Sequence, residues 1–113
     1  MTNKVIPTPL FETKFKRLSR NFSSLAVEIE NLEIELLEKP DLGTSLGANL
    51  FKIRLASKDK GRGKSGGFRV ITYLICETEN STDIYLITIF DKSEESSIDK
   101  MDLIKLVKQI FPE

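Results

Sequence analysis

The sequence predicts an α+β fold in which a small antiparallel sheet packs against an N-terminal helical hairpin. Two segments before Pro40 carry apolar residues at helical spacing, and at Phe51 the chain changes to the alternating pattern of a strand. Two further strand-like segments follow, and the C-terminal segment returns to helical spacing. The predicted order is β-α-α-β-β-β-α, with the helices on one face of the sheet. A chain of 113 residues is the size of one domain, so residues 1–113 are expected to form a single domain.

The helices are predicted from apolar residues that recur every three or four positions, after a short first strand at residues 4–6. The recurring residues of the first helix are Phe11, Phe15, Leu18 and Phe22, and those of the second are Leu25, Ile29, Leu32 and Leu36. Ser23 and Ser24 fit an N-cap for the second helix, and Pro40 with Gly43 ends it. A final helix is expected after an Asp99 cap, with its apolar positions at Met101, Ile104, Val107 and Phe111.

Three strands are predicted from alternation. In the first, Phe51, Ile53 and Leu55 alternate with Lys52, Arg54 and Ala56. The second, FRVITYLIC (68–76), has Phe68, Val70, Leu74 and Cys76 on one face and Arg69, Ile71, Tyr73 and Ile75 on the other. The third is DIYLITIFD (83–91). Since the helices are placed on the first of these faces, the second face is expected to be open.

The composition is that of a globular protein outside the membrane. Forty per cent of the residues are hydrophobic, and no apolar run reaches the roughly 20 residues of a membrane span. The N-terminal segment lacks the apolar region of a signal peptide, so a cytoplasmic location is expected. The lone cysteine, Cys76, cannot form an internal disulfide and is predicted to be a small core residue.

The charge is balanced overall and concentrated locally. Seventeen cations offset seventeen anions, which argues against a wholly basic nucleic-acid binder. Residues 52–69 nevertheless carry seven cations and one anion, Asp59. A region of this charge attracts polyanions even on a neutral protein.

The segment GRGKSGGFRVI (61–71) contains Gly-Lys-Ser, the end of a P-loop pattern, but it does not fit a nucleotide-binding loop. The pattern requires glycine where Lys58 stands, and it requires a helix after the loop, whereas a strand begins at Phe68. The loop is therefore predicted to join two antiparallel strands. Its glycines would let a phosphate backbone approach closely, and Tyr73 on the cationic face could stack on a base, which together favour single-stranded RNA.

Two stretches resemble a known family: KIRLASKDKGRGKSGGFRVITY (52–73) and IYLITIFDKSEESSID (84–99). They are similar to the RelE/ParE superfamily of toxin–antitoxin toxins, and closest to its HigB-like, RelE-type branch. The resemblance covers about residues 11–110. It implies a RelE-like fold and the function of a type II toxin that inhibits translation by ribosome-dependent mRNA cleavage. It also implies that the chain is an endoribonuclease, or mRNA interferase, which needs neither a metal ion nor another cofactor.

The resemblance also implies roles for individual residues. The residues that match catalytic positions are Arg54, Lys64, Arg69 and Lys92, and those expected to bind RNA are Lys52, Lys58, Lys60, Arg62 and Tyr73. The chain has no histidine, which excludes a histidine-pair mechanism. The resemblance implies that lysine transfers the protons, with a pKa that neighbouring cations would lower. Arginine would supply fixed charge to the phosphorane. For each of these cations the alternative is an ordinary surface charge, and Tyr73 could equally serve sheet packing. The tyrosine that some RelE-type members place over the substrate base is absent here, and Phe111 can stack but cannot transfer a proton.

The implied partners are the ribosome, mRNA and a cognate antitoxin, which is expected to be a helix-turn-helix protein. Ile71 and Ile75 on the open face predict that an acidic and apolar antitoxin segment lies over the cations. Two alternatives stay open: a ParE-like toxin that poisons DNA gyrase, and a catalytically degenerate RelE-fold binding module. The zero net charge is unusual for a ribosome-dependent toxin.

Overall fold

The computed structural model describes residues 2–58, 67–93 and 99–112. The strands within these residues are β1 (Lys4–Pro7), β2 (Thr44–Gly47), β3 (Leu50–Leu55), β4 (Phe68–Thr78) and β5 (Ser81–Asp91). The helices are α1 (Pro9–Ser19), α2 (Leu25–Glu38) and α3 (Lys100–Ile110). The predicted α+β class is confirmed, as is the placement of two helices before three consecutive antiparallel strands.

The five strands form one sheet in the order β1-β5-β4-β3-β2. The strands from β2 to β5 are antiparallel to their neighbours, whereas β1 pairs parallel to β5. The sheet is therefore mixed, and β2 is a strand that alternation does not reveal. Four residues with the sequence TSLG contain one apolar side chain, which is too little to show a period of two.

Helices α1 and α2 build the first core on one face of the sheet. The side chains predicted for their inner faces, among them Phe11, Leu18, Leu25 and Leu36, are buried against Ile53 and Phe68. Helix α1 begins as its sequence dictates, because the hydroxyl of Thr8 accepts a hydrogen bond from the amide of Phe11 at 3.2 Å and Pro9 occupies the first turn.

Helix α3 covers the opposite face of the sheet, so the prediction that all helices pack on one face is wrong. Its side chains Leu103, Val107 and Phe111 join a second core with Leu50 and Ile71. The cause lies in β4, which is the central strand and carries apolar residues on both of its faces, so each face needs a cover. Ile71 is fully buried and Ile75 is half-buried, and the expected open apolar face is closed at Ile71.

Of three predictions about single residues, one is confirmed and two are wrong. Asp99 does cap α3, because its Oδ1 accepts from the amide of Met101 at 3.3 Å. Met101 itself is 57% exposed and does not belong to the core, because the buried side of this turn is marked by Leu103, which lies about 200° around the helix from Met101. Cys76 is also exposed and is not a core residue, because it lies near the β4–β5 turn, where the chain is little buried. No helix within the described residues has the length and apolar character to span a bilayer.

Candidate functional site

The register of β3 and β4 brings the predicted cations and aromatic residue onto one face. Arg54 lies directly opposite Arg69, Lys52 opposite Ile71, and Leu50 opposite Tyr73. Directly opposed residues of an antiparallel pair share a face, and residues two apart along a strand share it too. The predicted common face of Lys52, Arg54, Arg69 and Tyr73 is therefore confirmed.

Arg69 is buried, which corrects the expectation that it stands on an open face. Only 6% of the residue is accessible, since β4 is the central strand and Arg69 lies between Arg54 on β3 and the buried Phe90 on β5. One of its guanidinium nitrogens, Nη1, donates to the carbonyl oxygen of Phe68 at 3.3 Å. Burial, followed by the like charge of Arg54, lowers the pKa of Arg69. Arginine keeps its proton under such conditions, so the residue is a fixed positive charge in a partly dry environment.

Arg54 differs from Arg69 in being exposed. Opposed Cβ atoms in an antiparallel pair are about 5 Å apart, and like charges in that position destabilise the sheet. The pair therefore presents two guanidinium groups at one place, one reachable from solvent and one held by its surroundings. An anion with several oxygens, such as a phosphate, can accept hydrogen bonds from both groups at once.

Lys92 arrives at the same end of the sheet from a third strand. It follows β5 directly and is half-buried, and its backbone amide donates to the carbonyl oxygen of Gly67 at 3.2 Å. Gly67 immediately precedes β4 and has a φ of +79°, and a Cβ there would stand 2.6 Å from the carbonyl oxygen of Leu55. The left-handed backbone and the close approach both require glycine. Arg54, Arg69 and Lys92 thus come from three adjacent strands to one end of the sheet.

Glu28 on α2 holds the other end of the loop, and sequence reasoning missed it. Its Oε2 accepts hydrogen bonds from the backbone amide of Lys58 at 2.9 Å and from the hydroxyl of Ser24 at 3.1 Å. The side chain of Lys58 is exposed beside this anchor. Glu28 is the fourth residue after the N-cap Ser24, whereas the glutamate of a capping box is the third. Thirty residues separate Glu28 from Lys58, so no local sequence pattern indicated this contact.

The remaining predicted loop cations, Lys60, Arg62 and Lys64, lie outside the described residues, and their expected roles stay predictions. The two stems of the loop are held by the hydrogen bonds of the Lys58 amide and the Gly67 carbonyl oxygen.

Tyr73 belongs to an aromatic cluster at the other end of the cationic face. Its ring centroid lies 5.5 Å from that of Phe111, and the ring of Tyr85 meets Phe111 edge-on at 4.7 Å. Burial, then the charges of Asp83 and Glu77, raises the pKa of Tyr85. Four residues separate Tyr73 from Arg69, which is about 13 Å along a strand. Tyr73 therefore helps to hold α3 on the sheet and is distant from the cluster of cations.

A cleft of about 580 Å³ opens beside this aromatic cluster, between α3 and the β2–β3 turn. Its walls include Leu50, Tyr73, Val107 and Phe111, with Lys108 contributing a charge. Sequence reasoning gave no sign of this cleft, because its walls come from a turn, two strands and a helix that are distant along the chain.

The described residues contain no group of three or more His, Cys, Asp or Glu side chains arranged to hold a metal ion. What the site does offer is positive charge of two kinds: guanidinium groups at Arg54, which is exposed, and at Arg69, which is buried, and a lysine at Lys92. This combination can bind a phosphodiester and stabilise extra negative charge on it.

The architecture defines a class of small α+β proteins with a cationic end on a sheet that is covered on both faces. No known family model matches the sequence. Among solved structures, the chain is similar to the E. coli toxin RelE, determined as a double arginine-to-alanine mutant in the free state. The TM-score is 0.59 with 18% sequence identity, and the match covers 98% of this chain and 100% of the toxin. The RelE-like fold implied by the sequence resemblance is therefore confirmed.

Proposed function

We propose that this protein is the toxin of a type II toxin–antitoxin system and that it stops translation by cutting mRNA on the ribosome. The observation that carries the proposal is the convergence of Arg54, Arg69 and Lys92 at one end of a RelE-like fold, beside a loop rich in glycine and cations. Guanidinium groups donate paired hydrogen bonds to anions that carry several oxygens, and an RNA phosphate is such an anion.

The chemistry assigned to the cluster follows from the needs of RNA cleavage. The 2′-hydroxyl must lose a proton, the phosphorane must be stabilised and the 5′-oxygen must gain a proton. Arg69 serves the second need, because a positive charge held in a partly dry site acts without reorganisation. Its loss should cost on the order of a hundredfold or more in rate. Arg54 assists from the solvent side.

Proton transfer is assigned to lysine, as the family resemblance implies for a chain without histidine. Lys92 is assigned to this role with Lys64 in the loop. Lys52 and Lys58 are exposed on β3 and at the loop stem, and they are assigned to phosphate positioning together with Lys60 and Arg62. Tyr73 is assigned to stacking on an RNA base that enters the cleft beside Phe111.

The proposed partners are the ribosome, mRNA and an antitoxin of the helix-turn-helix type, all in the cytoplasm. Helix α3 already covers Ile71, so an antitoxin segment would not bind to that apolar part of the face, as the sequence had suggested. An antitoxin segment that blocks the site would act on the exposed cations Lys52 and Arg54. Competition for these cations would be electrostatic and would weaken as salt rises.

The zero net charge favours one second candidate, a degenerate RelE-fold module that binds without cleaving. A neutral protein gains less attraction to the ribosome than a basic one. The two candidates differ in a single observable, which is cleavage of a translated message.

Expression from a tight promoter tests both. The proposal expects growth arrest with breaks in a reporter mRNA at codon positions, mapped by primer extension. Arg54→Ala should weaken these breaks, whereas the control Lys16→Ala, which removes an exposed cation on α1, should keep them at wild-type strength. Normal growth with abundant folded protein would leave the degenerate module. Arrest with gyrase-linked DNA breaks and intact mRNA would support the ParE-like alternative.

A further inference from the structure

The outer face of α2 carries most of the large apolar side chains that the described residues expose to solvent. Val27 is 58% exposed, Ile34 is 61% exposed and Leu37 is 43% exposed, and Met101 on α3 is the fourth such residue. The opposite face of α2 is buried in the first core. The helix is therefore apolar on two sides, of which only one is buried in the core.

These side chains form one stripe. Val27 and Ile34 are seven residues apart and Leu37 follows three residues later, so all three project to the same side over about 15 Å. Glu30 fills the position between Val27 and Ile34. Spacings of three, four and three residues are those of a helix seam that receives a second helix.

Acidic residues surround the stripe. Residues Leu25–Glu38 contain five glutamates and no cation. Glu33 is close enough to Glu30 for that charge, after partial burial, to raise its pKa. The charge of this face is uncompensated within α2, and a cationic partner would relieve it.

The stripe is held in a fixed position. Asn3 donates from Nδ2 to the carbonyl oxygen of Leu37 at 3.0 Å, and its Oδ1 accepts from the amide of Thr82 at 3.1 Å. The C-terminal end of α2 is thereby tied to the sheet edge, and the hydrogen bond to Lys58 holds Glu28 near its start. A preformed surface reduces the entropy lost when a partner binds.

A second copy of this chain does not fit the stripe. Two α2 helices facing each other would bring like charges together. Helix α1 carries the exposed cations Lys16 and Arg17, but it exposes none of the large apolar side chains, and Met101 stands apart on α3. The required counterpart combines an apolar seam with flanking cations, and no described surface of this protein supplies both.

We propose that the outer face of α2 is a docking surface for a cationic amphipathic helix of a second protein, with Val27, Ile34 and Leu37 as its apolar anchors and the surrounding glutamates as its charge partners. The buried side of α2 packs on the face of the sheet opposite Arg54 and Arg69, and the proposed surface points away from it, so the proposal is independent of RNA cleavage.

The test measures binding of a synthetic helical peptide to the full chain by fluorescence anisotropy. The peptide has about four turns, with leucines at spacings of three and four residues and lysines beside them. A scrambled peptide of the same composition, and one with glutamate in place of lysine, serve as controls. Binding should weaken roughly threefold or more between low and physiological salt.

Variants of exposed residues locate the site without disturbing the core. Ile34→Ser should weaken binding roughly tenfold or more, and Glu30→Lys should weaken it several-fold. The matched controls are Met101→Ser, an equally exposed apolar residue, and Glu79→Lys, an exposed glutamate near the β4–β5 turn, and both should bind as the wild type does.

The proposal is overturned if the lysine peptide binds no better than its controls, or if Ile34→Ser and Met101→Ser bind it equally. Sedimentation of the free chain supplies a second criterion. A dimer that Ile34→Ser abolishes would identify a second copy as the occupant and would likewise overturn the proposal.

Discussion

Arg54 and Arg69 face each other directly across the β3–β4 ladder, one exposed to solvent and the other 6% accessible. A fold that places two guanidinium groups in this relation accepts repulsion between them, and burial removes much of the water that would screen it. An anion that accepts hydrogen bonds from both groups would offset this repulsion.

Arg54→Ala should separate these two effects. Loss of the opposed charge should raise the free energy of unfolding by about 0.2–1 kcal/mol, while mRNA cleavage falls on the order of tenfold. Urea denaturation and a cleavage assay measure the two quantities. Lys52→Ala is the control for stability, because the residue opposite Lys52 is Ile71, which carries no charge. A variant that is less stable but cleaves normally would contradict the assignment.

Arg69→Lys tests the buried charge more cleanly than Arg69→Ala, since removal of a buried side chain also leaves a cavity. The lysine variant keeps the charge and loses the planar fork of donors. Cleavage should fall roughly a hundredfold, with a circular dichroism spectrum like that of the wild type. Cleavage at the wild-type rate would show that Arg69 is a structural residue.

Gly67→Ala should destabilise the protein by about 2–3 kcal/mol, because a residue with Cβ is strained at this φ and the new atom meets the Leu55 carbonyl. Ala48 gives the reverse comparison. It has a φ of 53° in the β2–β3 turn, so Ala48→Gly should gain about 1 kcal/mol. Urea midpoints that move in the same direction for both variants would contradict this account of the turns.

Thr72→Val should stabilise the protein by about 1 kcal/mol. The hydroxyl of Thr72 is fully buried beside the β4–β5 bulge and has no hydrogen-bond partner. An unsatisfied buried hydroxyl carries a desolvation cost that valine avoids with nearly the same shape. Thr8→Val is the control, because the Thr8 hydroxyl caps α1, and its loss should cost about 1 kcal/mol. Thermal unfolding distinguishes the two directions.

Glu33→Gln should change how stability depends on pH. Burial and then Glu30 raise the pKa of Glu33, so the folded protein binds a proton there more tightly than the unfolded chain does. The wild type therefore carries a penalty at neutral pH that disappears as pH falls through the raised pKa. Glu33→Gln should be the more stable protein at neutral pH and should lose its advantage under acid conditions. The exposed Glu38→Gln serves as the control, and a constant difference across pH would contradict the cause.

Much of the fold could be predicted because its signals are local. The inner faces of α1 and α2, the Asp99 cap and the common face of Lys52, Arg54 and Arg69 all follow from spacing within one element. The role of Lys92, by contrast, was expected only from the family resemblance. Cys76 was misplaced because periodicity does not tell how far the neighbouring elements extend. Met101 was misplaced because the predicted apolar side of α3 was centred away from Leu103, the residue that the core buries.

The sequence by itself determined the elements other than β2, the α+β class and the charge of the β3–β4 hairpin, since each depends on neighbours within a few residues. Only the tertiary structure decided that α3 crosses to the second face, that Arg69 is buried and that Glu28 holds the loop stem at Lys58. These features depend on contacts between residues far apart in the chain, where packing of the central strand on both faces outweighs any local preference. The acidic apolar stripe of α2 belongs to both: its spacing is local, and its exposure follows from which face the core uses.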